Sequence, residues 1–391
     1  MVLTVIIVNY NTKYFLEQCL CSLRKAIGNS DRLSLSGNSE IFVVDNYSID
    51  GTVQYIQPMF PEIIFIANSE NRGFARANNQ ALAKARGQFI LFLNPDTILE
   101  EESLEKCLVF LESDPSVAAT GVRMVDGAGH FLQESKRGFP SPWVSFCKLS
   151  GLTGLFPRSK FFAAYYQGQL KEELNNPVEV LSGAFMMIQK KALDKTGGFD
   201  EQFFMYAEDI DLSYRLQKAG YQNVYLASVS IVHFKGESTK KNAVYVELFY
   251  KAMVQFVKKH FRGRPSKLFI PLLEAAAWLR SRIARLTPGP VRGSNRVRKD
   301  ARTILLGDNK QMNRLKNLFP LAGRMLVQDL NTADEIIFCE GEDFSFGRII
   351  REMQLLRPGL AIRIHAANSK SIVGSDSKKS MGEITALNEN G

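Results

Sequence analysis

The chain predicts an α/β fold: a Rossmann-like, mostly parallel sheet, followed by a second, smaller α/β unit. Two observations carry this. Apolar runs alternate with helix-period segments over about the first 110 residues, and the alternation returns after residue 300. A third observation locates the working edge, because each of the first four apolar runs ends in Asn or Asp.

The first run, residues 2–8, is continuously apolar, as a strand buried on both faces would be. Ile41-Phe42-Val43-Val44, Ile63-Ile64-Phe65-Ile66 and Phe89-Ile90-Leu91-Phe92-Leu93 are the next three. Helical patterns fill the intervals at 14–26, 51–57 and 73–85, and another follows at 101–112. The strand ends carry Asn9-Tyr10-Asn11, Asp45-Asn46, Asn68 and Asn94-Pro95-Asp96. In open α/β sheets the carboxyl ends of the strands form the ligand crevice. Asn and Asp are also common in turns and caps, so the argument rests on all four together.

Residues 127–177 are rich in Gly, Pro, Ser and aromatics with little periodicity, and read as a long mobile excursion over the site. Strand signals return at 178–188. Residues 208–219 read as a helix closed by Gly220, and short strands lead to His233. The predicted organisation is a first domain over 1–262, a basic amphipathic connector over 263–299, and a small Rossmann-like domain over 300–391. In the last, strands at 303–306, 335–339 and 361–365 alternate with helices at 311–319 and 346–356. The polar tail after Asn368 is expected to fray.

Composition narrows the function. With 391 residues, 45% hydrophobic and 23% charged, two ordinary globular domains are expected. The five cysteines are scattered and odd in number, without a Cys-x-x-Cys pair, which points to reduced thiols and a cytoplasmic setting. The N-terminus shows no signal-peptide pattern, and no apolar run reaches the ~18 residues of a membrane span. Of the net +9, residues 258–302 carry +11, from 13 Lys or Arg against Glu274 and Asp300, so the rest sums to −2. That argues against nucleic acid and for a local anionic partner. Leu268, Leu272, Ala275, Leu279, Ile283 and Leu286 form a helical stripe there, flanked by arginines. It suits either an anionic membrane surface or packing on a domain.

The chemistry concentrates in Phe204-Met205-Tyr206-Ala207-Glu208-Asp209-Ile210-Asp211-Leu212, a carboxylate cluster opening a helix. Arg215 lies four residues after Asp211, so an ion pair explains that acid. Asp209 shares a face with Leu212 and Leu216, and a carboxylate on an inward stripe is costly unless paired or used. Its place in the first turn favours the ionised form that a general base needs. Helix stabilisation alone remains the alternative for all three. Asp96, delivered by its strand, suits a hard cation holding a diphosphate, with His233 as a further ligand. Asn71-Arg72-Gly73-Phe74-Ala75-Arg76 opens a helix whose amides suit an anion, with Gly73 allowing close approach and Arg72 or Arg76 reaching a phosphate; a plain loop with two solvated arginines is the alternative. No glycine-rich turn follows the first strand and no P-loop occurs, which excludes two common nucleotide folds. Together these sites point to group transfer from a nucleotide-activated substrate.

With these residues in place the chain resembles family-2 glycosyltransferases of GT-A fold, in particular the rhamnosyltransferase-like enzymes of bacterial surface-polysaccharide assembly. The resemblance covers about residues 1–262. It is carried by Val8-Asn9-Tyr10-Asn11, Val44 to Gly51, Asn71-Arg72-Gly73-Phe74, Leu93-Asn94-Pro95-Asp96, Leu181-Ser182-Gly183-Ala184, Phe199-Asp200-Glu201, Glu208-Asp209-Ile210-Asp211-Leu212, and His233 with Gly236 and Ser238. It implies an inverting transfer from a nucleoside-diphosphate sugar, UDP or dTDP in preference to GDP, to a glycan or lipid-linked acceptor. It further implies that Val8, Asn9, Tyr10, Asn11, Asp45, Asn46, Asn71, Gly73, Arg76, Asn94 and Gly183 bind the sugar nucleotide. Asp96 and His233 would hold Mg2+ or Mn2+, and Asp209, with Glu208, would do the chemistry. Asn94 stands where a full DxD motif has its first acid. A non-catalytic sugar-nucleotide-binding or scaffold protein of the same pathway is the competing reading. A sugar-phosphate nucleotidyltransferase would need a glycine-rich basic loop after the first strand, which is missing. The last unit is similar to Rossmann-like domains found beside sugar-transfer enzymes.

Overall fold

The computed structural model describes residues 1–234, 243–261, 270–271, 274–275, 278, 282, 301–322, 324–375 and 382–387. Most of the predicted connector, and Gly236 and Ser238, lie outside the described residues.

The first unit contains β1 (Leu3–Asn9), α1 (Lys13–Gly28), β2 (Ser39–Asp45), α2 (Thr52–Ile56), β3 (Ile64–Ala67), α3 (Phe74–Leu82), β4 (Phe89–Leu93), β5 (Thr97–Leu99), α4 (Ser103–Ser113) and β6 (Val117–Val125). It continues with α5 (Pro142–Ser150), α6 (Leu152–Leu155), β7 (Asn176–Val178), β8 (Phe185–Gln189), α7 (Lys190–Thr196), α8 (Glu208–Lys218), β9 (Gln222–His233) and α9 (Ala243–His260). The sheet runs β3-β2-β1-β4-β8-β6-β9-β5, with β7 beside β9. The β3-β2-β1-β4 half is parallel, as the strand–helix alternation predicts. Beyond it, β8 pairs antiparallel with β4 and β6, and β6 pairs parallel with β9.

Register sets the site. Asn9 pairs with Asp45 across β1–β2, and Ile7 pairs with Leu93 across β1–β4. The polar residues after these strands therefore emerge along one edge. Strand β1 is wholly buried, so a one-residue slip would turn its side chains to the wrong faces. One core face gathers Leu3, Val5 and Ile7 with α1 and α4, and the other gathers Ile6 with Phe92, Met186 and Leu212.

The second unit comprises β10 (Arg302–Gly307), α10 (Asn309–Ala322), β11 (Met325–Leu326), β12 (Glu335–Cys339), α11 (Phe346–Met353), β13 (Ala361–His365), β14 (Ser371–Ser375) and β15 (Glu383–Ala386). Its sheet order is β11-β10-β12-β13-β14-β15. The expected fraying after Asn368 is corrected here. Strand β14 is buried and antiparallel to β13, and β15 pairs with β14. The polar residues are tied to α1 of the first unit. Ser371 Oγ and the Lys370 amide donate to Glu17, and Gln18 Nε2 donates to Ser371 at 3.0 Å. One apolar cluster runs through both units, joining Phe15, Val125, Val232 and Phe234 to Phe338, Ile350 and Met353. Gly129 has φ +81°, and a Cβ there would stand 2.4 Å from the Met353 carbonyl oxygen, so the approach of the two units requires glycine. Among the described residues no helix is long and apolar enough to cross a membrane. All five cysteines are free thiols.

Candidate active site

The strand ends, the 179–184 loop and the start of α8 enclose a cleft of ≈ 400 Å³. Val8, Tyr10, Asn46, Asn71, Asn94, Asp96, Gly183, Glu208, Asp209 and His233 line it together. Residues predicted from separate stretches of sequence thus meet at one surface.

Strand β4 delivers Asn94 and Asp96, and β9 ends at His233, which pairs with Thr97 of β5. Asp96 Oδ1 lies 3.3 Å from His233 Nε2, and both residues are buried. Asn94 Nδ2 stands 3.4 Å from the same ring nitrogen. Among the described residues no group of three or more His, Cys, Asp or Glu assembles as a metal cage.

The backbone at the head of α8 is strained. Tyr206 and Ala207 are consecutive non-glycine residues with φ of +69° and +63°. Such conformations cost about 1–3 kcal/mol each and persist where the surroundings enforce them. They turn the chain so that Glu208, Asp209 and Asp211 open the helix inward, all three buried. Asp209 Oδ2 accepts from Arg137 Nη2 at 2.5 Å and from the Gly183 amide at 3.1 Å, and Oδ1 accepts from the Ile210 amide at 2.8 Å. Burial and the adjacent Asp209 charge push the Glu208 pKa up to about 8. The protonated form of Glu208 is thereby favoured. Asp211 forms the predicted ion pair with Arg215 at 2.7 Å and is also held by Lys259 and His260 at 2.6 Å each. Burial opposes its charge, but the hydrogen bonds from Lys259 and His260 and the Arg215 charge hold its carboxyl below the usual range.

Five predicted binding residues do not line the cleft, for identifiable reasons. Asn9 is fully buried, and its amide donates to Asp45 Oδ1 at 2.9 Å and to Ser48 Oγ at 3.0 Å. Asp45 Oδ2 accepts from the Ser48 amide at 2.9 Å. These two side chains shape the 45–52 turn. Asn11, at φ +55°, accepts from the Ile49 amide at 2.8 Å. Gly73 allows a close approach, but to protein: a Cβ there would lie 2.6 Å from the Phe204 carbonyl oxygen. The Phe74 amide donates to that oxygen at 2.8 Å, so this α3 amide is already satisfied within the protein. Arg76 pairs with Glu201 at 3.4 Å and is largely exposed.

The sequence reading also missed residues. Arg137, Glu134, Lys148, Tyr165 and Tyr166 come from the aperiodic excursion, and Phe249 and Tyr250 from α9. Arg137 pairs in an isolated bridge with Val180, and its Nη2 also donates to the Leu181 carbonyl at 2.9 Å. The excursion does lie over the cleft, as expected, and it carries α5 and α6, which the weak periodicity hid.

Part of the chain is similar to known proteins. Residues 4–197 match the profile described as glycosyl transferase family 2. The N-acetylglucosaminyl-diphospho-decaprenol L-rhamnosyltransferase of Mycobacterium tuberculosis is 29% identical over 274 residues, covering 67% of this chain and 86% of that protein. Rhamnosyltransferase WbbL of Escherichia coli is 28% identical over 199 residues, 49% of this chain and 69% of its own. Among solved structures, a Pyrobaculum calidifontis mannosyltransferase in complex with GDP-Man and Mn2+ aligns with a TM-score of 0.46 at 21% identity, over 73% of this chain and 72% of that one. The first half of the chain thus matches the glycosyl transferase family 2 profile, and these similar curated proteins are rhamnosyltransferases.

Proposed function

We propose that the protein is an inverting, metal-dependent transferase. It moves a sugar from a nucleoside-diphosphate donor, UDP or dTDP in preference to GDP, to a hydroxyl of a glycan or lipid-linked saccharide in bacterial cell-surface polysaccharide synthesis. The observation that carries this is the Asp209 carboxylate, buried against Arg137 in the same cleft as Asp96 and His233. The relatives' rhamnosyltransferase names support the acceptor and pathway class.

The donor set fits a small divalent cation. A carboxylate oxygen and an imidazole nitrogen 3.3 Å apart suit Mn2+ or Mg2+ only if donor phosphate oxygens complete the shell. Such a cation, when bound, would neutralise charge developing on the departing diphosphate. Asp96 and His233 would hold it, with Asn94 beside the imidazole.

Asp209 would accept the acceptor's proton. Each carboxylate oxygen takes about two hydrogen bonds. Oδ2 is filled by Arg137 and Gly183, whereas Oδ1 has one protein donor and room for a hydroxyl. The deprotonated oxygen attacks the anomeric carbon as the bond to the diphosphate oxygen breaks on the opposite face, inverting the centre. Glu208, in its protonated form, would act beside it as a hydrogen-bond donor. Val8, Tyr10, Asn46 and Asn71 would face the nucleotide. Asn9, Asn11 and Asp45 would set the turn behind them.

The domain division at 263–299 and a cytoplasmic, peripheral location through residues 258–302 belong to the same proposal. Thermal shifts with UDP, dTDP and GDP, each with and without Mn2+, test the donor side. A nucleotide at ~100 times its dissociation constant adds about 2.7 kcal/mol. Asp209→Asn should then abolish turnover while keeping the nucleotide shift. Turnover near the parent's in that variant would end the assignment of the base, and a nucleotide shift without turnover in the parent would favour the scaffold reading.

A further inference from the structure

The excursion between β6 and β7 carries a second surface. Helices α5 and α6 meet at Gly151, whose φ of +85° breaks the run. Their outer side is apolar and open to solvent: Leu155 is 73% exposed, Phe161 60% and Phe156 49%. Behind them the rings stack on one another, Trp143 to Phe161 at 4.8 Å and Phe156 to Phe162 at 5.1 Å between centroids. The aromatic groups are thus held as one platform while several edges stay in water. A contiguous exposed apolar patch of this kind marks an interaction surface.

Within the segment itself the charges have one sign, although Glu134, Glu172 and Glu173 flank it. From Ser135 to Lys171 the chain holds six Lys or Arg and no Asp or Glu. Arg137 is spent on Asp209 and Lys148 on the Tyr165 and Tyr166 rings, at 4.2 and 3.6 Å. Arg158 and Lys160 are exposed between Phe156 and Phe161 and make no ion pair among the described residues. Aromatic and leucine side chains beside cations, without acids, match the interface of an anionic bilayer, where rings enter the headgroup boundary and cations meet phosphates.

We propose that the 152–162 face docks on an anionic lipid surface. This surface is separate from the basic 258–302 segment and goes beyond the transfer chemistry. Lys148, Tyr165 and Tyr166, on the inner side of the same excursion, line the catalytic cleft. Docking therefore sets the cleft's mouth beside the bilayer, where a lipid-linked acceptor would present its sugar.

The chain has two tryptophans, Trp143 in this platform and Trp278 in the basic segment, so each surface carries its own reporter. The full-length Trp278→Phe variant is mixed with phosphatidylglycerol–phosphatidylcholine vesicles whose acyl chains are brominated. The expected result is quenching of Trp143 at low salt, absent with pure phosphatidylcholine. Leu155→Ser with Phe156→Ser should weaken partitioning by about tenfold or more, and Arg158→Glu with Lys160→Glu by about fivefold per charge. Both pairs are exposed, and an unchanged nucleotide thermal shift certifies the fold. Absence of vesicle binding overturns the proposal. So does binding with Trp143 unquenched, or binding unaffected by both variant pairs. Protection of Trp143 by a soluble saccharide without vesicle binding overturns it in favour of a carbohydrate platform. None of these readings depends on turnover, so they stand or fall apart from the proposed reaction.

Discussion

Replacing Glu208 with Gln tests the protonation assignment at the head of α8. In the folded protein burial and the Asp209 charge raise the Glu208 pKa from 4.5 to about 8. The folded state therefore holds a proton that the unfolded chain releases, and stability falls as pH rises between those values. The full contribution is present below pH 4.5 and gone above about pH 8. At 1.36 kcal/mol per pH unit the whole span is worth about 5 kcal/mol, of which about 3–4 kcal/mol is lost between pH 5 and pH 8. Gln has the shape of the protonated acid and does not titrate. Urea unfolding at pH 5, 6.5 and 8 should show the parent losing about 3–4 kcal/mol more than Glu208→Gln over that range. At pH 7 the variant should also keep much of its transferase activity, because Gln preserves a neutral donor. Parallel stability curves for the two proteins would show that Glu208 is ionised and refute the reasoning. Loss of activity in Glu208→Gln as complete as in Asp209→Asn would refute the division of roles between them.

Three further outcomes follow from single contacts. Arg137→Met leaves the Asp209 carboxylate buried without its counter-charge and should cost about 3–5 kcal/mol. In an Asp209→Asn background the same change should cost at least about 2 kcal/mol less, read by urea unfolding of the four proteins. Gly73→Ala drives a Cβ into Phe204 at a φ of +79° and should destabilise by more than about 1 kcal/mol in thermal unfolding, with loss of nucleotide binding through the displaced 204–207 turn. Glu101→Ala removes the carboxylate that accepts from the Phe346 and Gly347 amides at 2.6 and 3.0 Å. It should cost about 1–2 kcal/mol and speed hydrogen exchange in α11.

The parts of the fold that were legible in the sequence are those governed by local pattern. Strands β4, β12 and β13 begin and end where their apolar runs do, because both faces are buried and every residue in them is constrained. The ordering of β14 was not legible because its polar groups are satisfied by Glu17 and Gln18, more than 350 positions away, and no local window contains those partners. The same holds for Arg137, whose partner Asp209 is 72 positions away. Along the strand-end edge the residue types were legible but their side-chain partners were not. Asn9 and Asp45 sit at matched ends of paired strands, so their side chains reach each other before they reach a ligand.

The choice among the three α8 carboxylates shows what structure adds to such a pattern. Sequence spacing separates Asp211 from the others, and the structure agrees, since Arg215, Lys259 and His260 occupy it. Spacing sets Asp209 on the stripe of Leu212 and Leu216, but Glu208 is buried beside it, so burial does not separate the two. Their partners do. Arg137 and the Gly183 amide converge on one oxygen of Asp209, whereas Glu208 Oε2 has no hydrogen-bond partner among the described residues. Burial and the Asp209 charge favour the protonated form of Glu208, while Arg137 pairs with the Asp209 carboxylate. The left-handed turn at Tyr206 and Ala207 is what brings both to the cleft. Relaxing that turn would remove its strain but would also redirect Asp209 away from Arg137.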